Sequence, residues 1–345
     1  MALALLGGVW ALLAACGTIP ATSPGGEWER LAAEARIAHA DGQLLSANAL
    51  LEKMLDAQVI YLGEQHDNPY HHRLQLAIVE QLIARGKRPV IGFEFFSQAQ
   101  TGWLMHYTVG KPSAFVLPKA TDPGERLRAQ LGWETREDWS HYFPLIQLAR
   151  QHKLSVFGAD LPDGLRVRLT RGGLADLSPI EKASWSPTGF VNEPYRLLMR
   201  QHLASSHCGM APDALLDRLY ETWVARNDAM ARAITLVHAQ QTDAPVVMVL
   251  GAGHVAHDMG VYERVASLQP AIRQLNLGLQ STLPDDPPLS RYFATVRVGQ
   301  TEFAPEHPYL WFTPPPPRDE DPCALLMPQP SASHTPLHER KGAQP

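Results

Sequence analysis

Val59-Ile60-Tyr61-Leu62-Gly63-Glu64-Gln65-His66-Asp67-Asn68-Pro69-Tyr70-His71-His72 is the stretch that decides the fold. It has an echo far downstream, Val246-Val247-Met248-Val249-Leu250-Gly251-Ala252-Gly253-His254-Val255-Ala256-His257. Both begin as short apolar runs with β-branched residues and break into Gly-x-x-His, the pattern of a buried strand ending in a polar turn. In an open α/β sheet, ligand chemistry collects at the carboxyl ends of parallel strands, where loops vary on a rigid support. Two histidines delivered in this way point to one site.

Outward from the first stretch, Asn68-Pro69 is a helix start, with Asn as N-cap and Pro at the first helical position. The helix runs to about Arg85 and is apolar on two sides, so it packs between the sheet and another helix. Tyr70, His71 and His72 fall in its first turn, where the helix dipole disfavours protonated histidine and leaves neutral imidazoles as ligands. Further buried strands read at Pro89 to Phe96, with Glu94 among aromatic residues, at Lys153 to Pro162, with Asp160 near its end, and at Pro245 to Leu250. A buried carboxylate such as Glu94 is costly unless it is paired or binds something. Between Gln98 and Trp139 the pattern loses a clear period. His141 to His152, Asp213 to His238 and Val261 to Leu268 read as helices, and Glu27 to Asp56 as helices capping the sheet. Ala271 to Leu279 and Tyr292 to Val298 read as closing strands. The expected architecture is α/β, a mainly parallel sheet flanked by helices, with a small helical insertion lobe at about 163–212. Within that lobe a helix from Glu193-Pro194 to His202 puts Tyr195 and His202, seven apart, on one face.

The 345 residues are 45% hydrophobic, enough for one sizeable core, and the net charge of −5 with a pI near 6.3 provides no basic field for nucleic acid. Met1 to Ala15 is apolar and too short to span a bilayer permanently, as in an export signal. Leu13-Ala14-Ala15-Cys16-Gly17 resembles a bacterial lipobox, although no Lys or Arg precedes the apolar run. This reading makes 1–16 a lipoprotein signal with Cys16 the lipidated residue, and 17–43 a tether and N-terminal helix. Residues 44–300 form the α/β domain, and 313–345 form a Pro-rich tail expected to be disordered. Gly17 after the cysteine, rather than Asp, directs the protein to the outer membrane.

The functional reading of the strand ends brings His66, His254, Glu64 and Glu94 into one pocket, with Asp160 beside them. His66, His254 and Glu94 could hold a divalent metal that activates water, with a second acid as general base. The plainer alternative makes Glu94 and Asp160 structural acids paired with arginines, and the histidines caps of strands. No His-Glu-x-x-His, Gly-x-Ser-x-Gly, P-loop or Gly-x-Gly-x-x-Gly helix start occurs in the sequence, which counts against α/β-hydrolase and nucleotide readings.

Tyr61-Leu-Gly-Glu-Gln-His-Asp-Asn68, Gly92-Phe-Glu-Phe-Phe96, Gly158-Ala-Asp-Leu-Pro162 and Val247-Met-Val-Leu-Gly-Ala-Gly-His-Val255, in that order, resemble the ChaN family of bacterial haem-binding lipoproteins. That family shares a superfamily with the Tiki metalloproteases and the erythromycin esterases, and the likeness runs from about Leu44 to Val298. It implies a surface-tethered protein of iron acquisition, a homodimer enclosing a pair of stacked haems. Each iron would be held by a tyrosine of one monomer, with a histidine of the partner near the propionates. No short motif fixes which tyrosine of this chain corresponds to that ligand; the expected one is Tyr195, with His202 as the propionate or second contact and Arg166, Arg168 and Arg171 supplying charge, against the plainer reading of Tyr195 as a helix-packing residue. His207, Cys208 and Met210 are alternative ligands. A Cys208–Cys323 disulfide is not expected, because Cys323 lies in the presumed tail. The implied location is the outer membrane, lipid-anchored and facing the periplasm or cell surface, with a haem-uptake receptor or periplasmic carrier as partner. The runner-up is a metal-dependent hydrolase, a peptidase or esterase, using Glu64, His66, Glu94 and His254. A third reading is a lipid-anchored scaffold with a vestigial site.

Overall fold

A computed structural model describes residues 24–110, 122–183, 191–316 and 323. The stretch read as an export signal, Cys16 and most of the Pro-rich tail lie outside the described residues. Along the chain come α1 (Pro24–Ala33), β1 (Arg36–His39), β2 (Leu44–Leu45), α2 (Ala47–Asp56), β3 (Val59–Glu64), α3 (Pro69–Ala84), β4 (Val90–Ser97), α4 (Thr101–Val109), α5 (Pro123–Gln130), α6 (Trp139–His152) and β5 (Val156–Asp160). There follow α7 (Asp163–Gly172), α8 (Pro179–Ala183), α9 (Glu193–Ser206), α10 (Asp213–Gln240), β6 (Val246–Gly251), α11 (Val261–Leu268), β7 (Gln274–Ser281), α12 (Leu289–Tyr292), β8 (Val296–Val298), β9 (Thr301–Phe303) and β10 (Tyr309–Thr313).

Eight of these strands form one sheet in the order β2-β1-β10-β7-β3-β6-β4-β5, parallel from β10 to β5, with β1 and β2 added antiparallel at one edge. The two quoted stretches are β3 and β6, which lie side by side with Glu64 opposite Gly251. Next to them, the connection leaving β4 runs outward to β5 while that leaving β6 returns across β3 to β7. Adjacent strands whose connections part leave a crevice at their carboxyl ends.

Alternation along the strands sends side chains to two cores. Ile60 and Leu62 of β3, Ile91 and Phe93 of β4, and Val247 and Val249 of β6 pack with α2, α3 and α6. Val59, Tyr61, Val90, Val246, Met248 and Leu250 pack with Met230, Ala231 and Ile234 of α10 and with α11. Both faces are therefore covered, which is why these strands read as continuous apolar runs. The same parity decides where the acids go. Glu64 follows Leu62 to the α3 side, whereas Glu94 follows Val90 to the α10 side.

The helix starting at Asn68-Pro69 forms as read, with Asn68 Oδ1 accepting from the Tyr70 N–H at 2.9 Å. Four expectations need correction. The stretch from Glu27 to Asp56 is not all helix, because β1 and β2 interrupt it and Ile37 and Ala38 are buried against Trp311 and Leu310 of β10. Gln98 to Trp139 holds α4 and α5. Tyr292 to Val298 is not a closing strand of the main sheet; it contributes to α12 and to the separate β8–β9 hairpin, while β10 closes the sheet beside β7. Cys208 and Cys323 are joined by a disulfide, with Cα atoms 5.5 Å apart. Sequence position placed Cys323 in the tail, but the bridge holds it at the C-terminal end of α9.

A crosslink across a sequence separation of 115 residues restricts the unfolded chain, with a ceiling near about 5 kcal/mol in the loop-entropy account. Thermal melts with and without reductant should show a lower Tm for the reduced protein and none of that sensitivity in a Cys208→Ser, Cys323→Ser variant. Equal melting in both redox states would mean that the bridge does not stabilise the fold.

Candidate functional site

At the carboxyl ends of β3, β4 and β6, Glu64, His66, Glu94 and His254 line one cavity of about 620 Å³, together with Trp223 and Arg226 of α10. The size falls within the ordinary range for small-molecule sites. Sequence reasoning therefore placed these four residues together correctly, and it missed the helix that closes the pocket.

Glu64 is buried on the α3 side and surrounded by donors. Tyr142 Oη donates to it at 2.8 Å and Gln75 Nε2 at 2.7 Å, while His66 Nδ1 lies 3.1 Å from Oε1 and His72 Nδ1 lies 3.2 Å from Oε2. Burial alone would raise this carboxyl, but the hydrogen bonds from His66 and His72 outweigh it and hold the group at about 2. His72 Nε2 is 2.9 Å from the His66 carbonyl oxygen and so donates there. With its other nitrogen facing a carboxylate, His72 is best satisfied as an imidazolium, and although burial opposes the charge, Glu64 raises its pKa. The first-turn histidines thus depart from the expectation of two free ligands. Glu64 biases His72 towards its charged form, and His71 is spent on structure: its Nδ1 accepts from the Gln65 N–H at 2.9 Å and its Nε2 meets Thr313 Oγ1 at 2.9 Å, tying the β3 turn to the end of β10. Burial lowers His71 to about 4, which keeps it neutral.

Glu94 is buried on the other face. Its Oε2 accepts from the Gly251 N–H at 2.6 Å, and its Oε1 accepts from Arg226 Nη2 at 2.8 Å and lies 3.1 Å from His254 Nε2. Burial works against its ionisation, yet His254 and Arg226 hold the carboxyl well below the usual range. A bulge permits this arrangement. Between Phe93 and Ser97 the register with β5 shifts, so that Ser97 rather than a nearer residue stands opposite Asp160. Arg226 spans the gap, with Nε donating to both Asp160 oxygens at 3.0 and 3.1 Å. The plainer alternative, acids paired with an arginine, thus describes Glu94 and Asp160. His254 stacks on Trp223 with ring centroids 3.9 Å apart and its Nδ1 lies 2.5 Å from the Asn227 side-chain amide. Burial pushes His254 down.

Two glycines shape the floor. A Cβ on Gly251 would stand 2.7 Å from His66 Cε1, and one on Gly253 would stand 3.2 Å from Trp223 Cη2. A larger residue at Gly251 would displace the His66 ring, and one at Gly253 would press Trp223 aside by a few tenths of an ångström.

The residues proposed for a metal do not fit one. Zinc needs free nitrogen and oxygen lone pairs that converge on a point. Here both Glu94 oxygens are occupied and His254 Nε2 faces one of them, and the ligand atoms of His66, Glu94 and His254 do not gather within 4.8 Å of one another.

The remaining site residues lie apart from this cavity. Tyr195 is buried behind it, its Oη accepting from Trp223 Nε1 at 3.1 Å, and burial pushes the phenol up to about 12. His202 stands edge-on to His257, ring centroids 6.3 Å apart. Arg166 lines an adjoining cavity of about 320 Å³ with Asp160, Tyr142 and Arg226. Arg168 turns away and makes two hydrogen bonds to Glu181. The missed residues were Tyr142, Gln75, Trp223, Arg226 and Asn227, and His72 was singled out but in another role. For Arg226 and Asn227 a signal existed, since they interrupt an apolar stripe between Trp223 and Met230 at helical spacing.

The sequence matches the family described as haem-binding uptake, Tiki superfamily, ChaN, over residues 50–265, and the chain belongs to that family. Among solved structures, ChaN of Campylobacter jejuni with cofacially bound haem is similar at a TM-score of 0.59 and 16% identity, covering 80% of this chain and 96% of that one. A mutant of the erythromycin esterase EreC in its open conformation aligns at a TM-score of 0.46 and 13% identity over 81% of this chain and 97% of its own. No curated protein matches the sequence.

The titration shifts fix the sign of the acid response. Glu64, held at about 2, contributes stability that is complete above its ordinary 4.5 and lost as pH falls through about 2. His71, held at about 4, contributes stability that is complete above 6.5 and lost as pH falls through about 4. His72, raised, acts oppositely, its contribution fading as pH rises through its folded pKa. Urea unfolding at pH 7, 5 and 3 should show stepwise loss on acidification. Glu64→Gln should cost about 3–5 kcal/mol at pH 7 by leaving His72 uncompensated, with the cost shrinking towards pH 2. A pH-independent cost would remove the ion pair from the account.

Proposed function

We propose that this protein binds haem between two copies of itself and serves haem or iron acquisition at the bacterial outer membrane, held there by a lipid on Cys16. The observation that carries the reading is membership of the haem-binding ChaN family over the whole strand-end site. Physical features lend support. A flat apolar cofactor enclosed by a dimer needs apolar surface exposed in the monomer, and Val167, Ile180, Val191, Leu197 and Met210 of the helical lobe are exposed, Ile180 by 83% and Val191 by 87%. A Cys208–Cys323 disulfide suits an oxidising compartment such as the periplasm. No helix among the described residues is long and apolar enough to cross a membrane.

Tyr195 remains the proposed iron ligand, on the condition that it leaves Trp223 and that ferric iron takes the place of its proton. His202 and Arg166 are the proposed neighbours of the propionates. Arg166 suits the role better than Arg168, because it holds Asp163 through Nη2 alone and its buried Nε has no hydrogen-bond partner, while Arg168 makes two hydrogen bonds to Glu181. The hydrolase reading gains no comparable support, since Glu64 and Glu94 have their acceptor oxygens engaged by protein donors.

Haemin titrated into protein beginning after Cys16 should give a saturable spectral change with the charge-transfer band of tyrosinate ligation, accompanied by a doubling of mass in solution. Tyr195→Phe should abolish that band. Failure of the wild type to take up haemin specifically would overturn the function, and an unchanged band in Tyr195→Phe would remove only the ligand assignment.

A further inference from the structure

Three groups outside the strand-end pocket converge: His202 of α9, His257 in the turn after β6, and Glu306 in the loop before β10, with one ligand atom of each within 4.8 Å of the others. The arrangement comes from three distant parts of the chain, and His257 is prepared in an unusual way. It is 4% exposed, and its Nδ1 lies 2.5 Å from the Ala304 carbonyl oxygen, so that nitrogen carries the proton. Its Nε2 is then a lone-pair acceptor, and it is buried with no hydrogen-bond partner. The His257 backbone N–H donates to the Glu306 carbonyl at 2.7 Å, which brings the loop carrying the carboxylate to the ring. His257 itself adopts φ 63°, ψ 21°, a left-handed conformation uncommon for a residue with a side chain.

An imidazole fixed through Nδ1–H to a backbone carbonyl, with Nε2 free, is how proteins orient a histidine towards a metal. We propose that His202, His257 and Glu306 form a site for a first-row divalent cation of the zinc class, with water as the fourth ligand. Two nitrogens and one carboxylate oxygen match the preference of zinc and leave one position open. Tetrahedral ligands at the usual bond lengths stand about 3.3 Å apart, so the three side chains close inward on binding. Glu306, which is exposed, gives the ion its entry. The site shares His202 with the haem reading but takes none of its support from the strand-end pocket, and Glu306, which the haem reading does not use, separates the two.

The test is a zinc titration of the full chain, stripped with chelator and free of haem, against a chromophoric zinc indicator, with cobalt absorption as a second readout. The wild type should bind one equivalent and give the visible bands of tetrahedral cobalt. His202→Ala and Glu306→Ala should each weaken zinc at least about tenfold, a loss expected when one of three protein ligands is removed. Glu306→Ala alters an exposed side chain, so its result does not depend on core packing. Absence of stoichiometric zinc binding, or binding that falls in His66→Ala and not in His202→Ala or Glu306→Ala, would overturn the proposal.

Discussion

Burying a carboxylate is tolerable only when the protein supplies its counter-charge, and two such pairings at the ends of the central strands govern this molecule. Removal of an ionised acid from water costs several kcal/mol unless cations and donors replace the lost hydration. Strand alternation sends Glu64 to one face of the sheet and Glu94 to the other, so each acid recruits a different helical layer. Glu64 draws in His72 and Gln75 of α3 and Tyr142 of α6. Glu94 draws in Arg226 of α10, which also binds Asp160 and so couples β4 to β5 across the bulge. The pocket between the acids is consequently stiff, with its polar groups committed to one another before any ligand arrives. That commitment is why the cavity offers a shaped, charged floor and not an open metal site.

Much of this was legible in the sequence, for reasons tied to particular residues. The apolar runs of β3 and β6 are buried on both faces and carry no competing period, and Asn68-Pro69 has a local mechanism for starting a helix. Local signals failed where the stabilising partner is remote. Arg36 to His39 becomes a strand only because β10 lies beside it, and β10 is five residues at the border of a proline-rich tail. Cys208 and Cys323 are bridged across a sequence separation of 115, which no local pattern announces. The convergence of Glu64, His66, Glu94 and His254 followed from strand ends alone. Their state did not, because Tyr142 is 78 residues from Glu64 and Arg226 is 132 from Glu94. A helix-dipole argument applied to His72 in isolation gave a neutral ring, and the nearby buried carboxylate works in the opposite direction.

The helical lobe bears a different logic from the sheet. Charged residues of the lobe pair among themselves, as Arg168 does with Glu181 and Arg196 with Glu193, while several of its large apolar side chains face solvent. That division suits a surface to be covered by a second apolar body. The disulfide at the end of α9 anchors one border of the lobe, and the His202–His257–Glu306 group stands where α9 meets the loops after β6 and before β10. Haem enclosure and cation binding would therefore meet at His202, which stands on the same helix as Tyr195.

The central claim is that the strand-end acids are already neutralised by the protein's own cations. Ring-nitrogen NMR of the histidines at neutral pH tests it most directly, followed by addition of one equivalent of zinc. Expected are a doubly protonated His72, a neutral His71, and no movement of the His66 or His254 signals with zinc. A neutral His72, or zinc-induced shifts at His66 and His254 together, would contradict it.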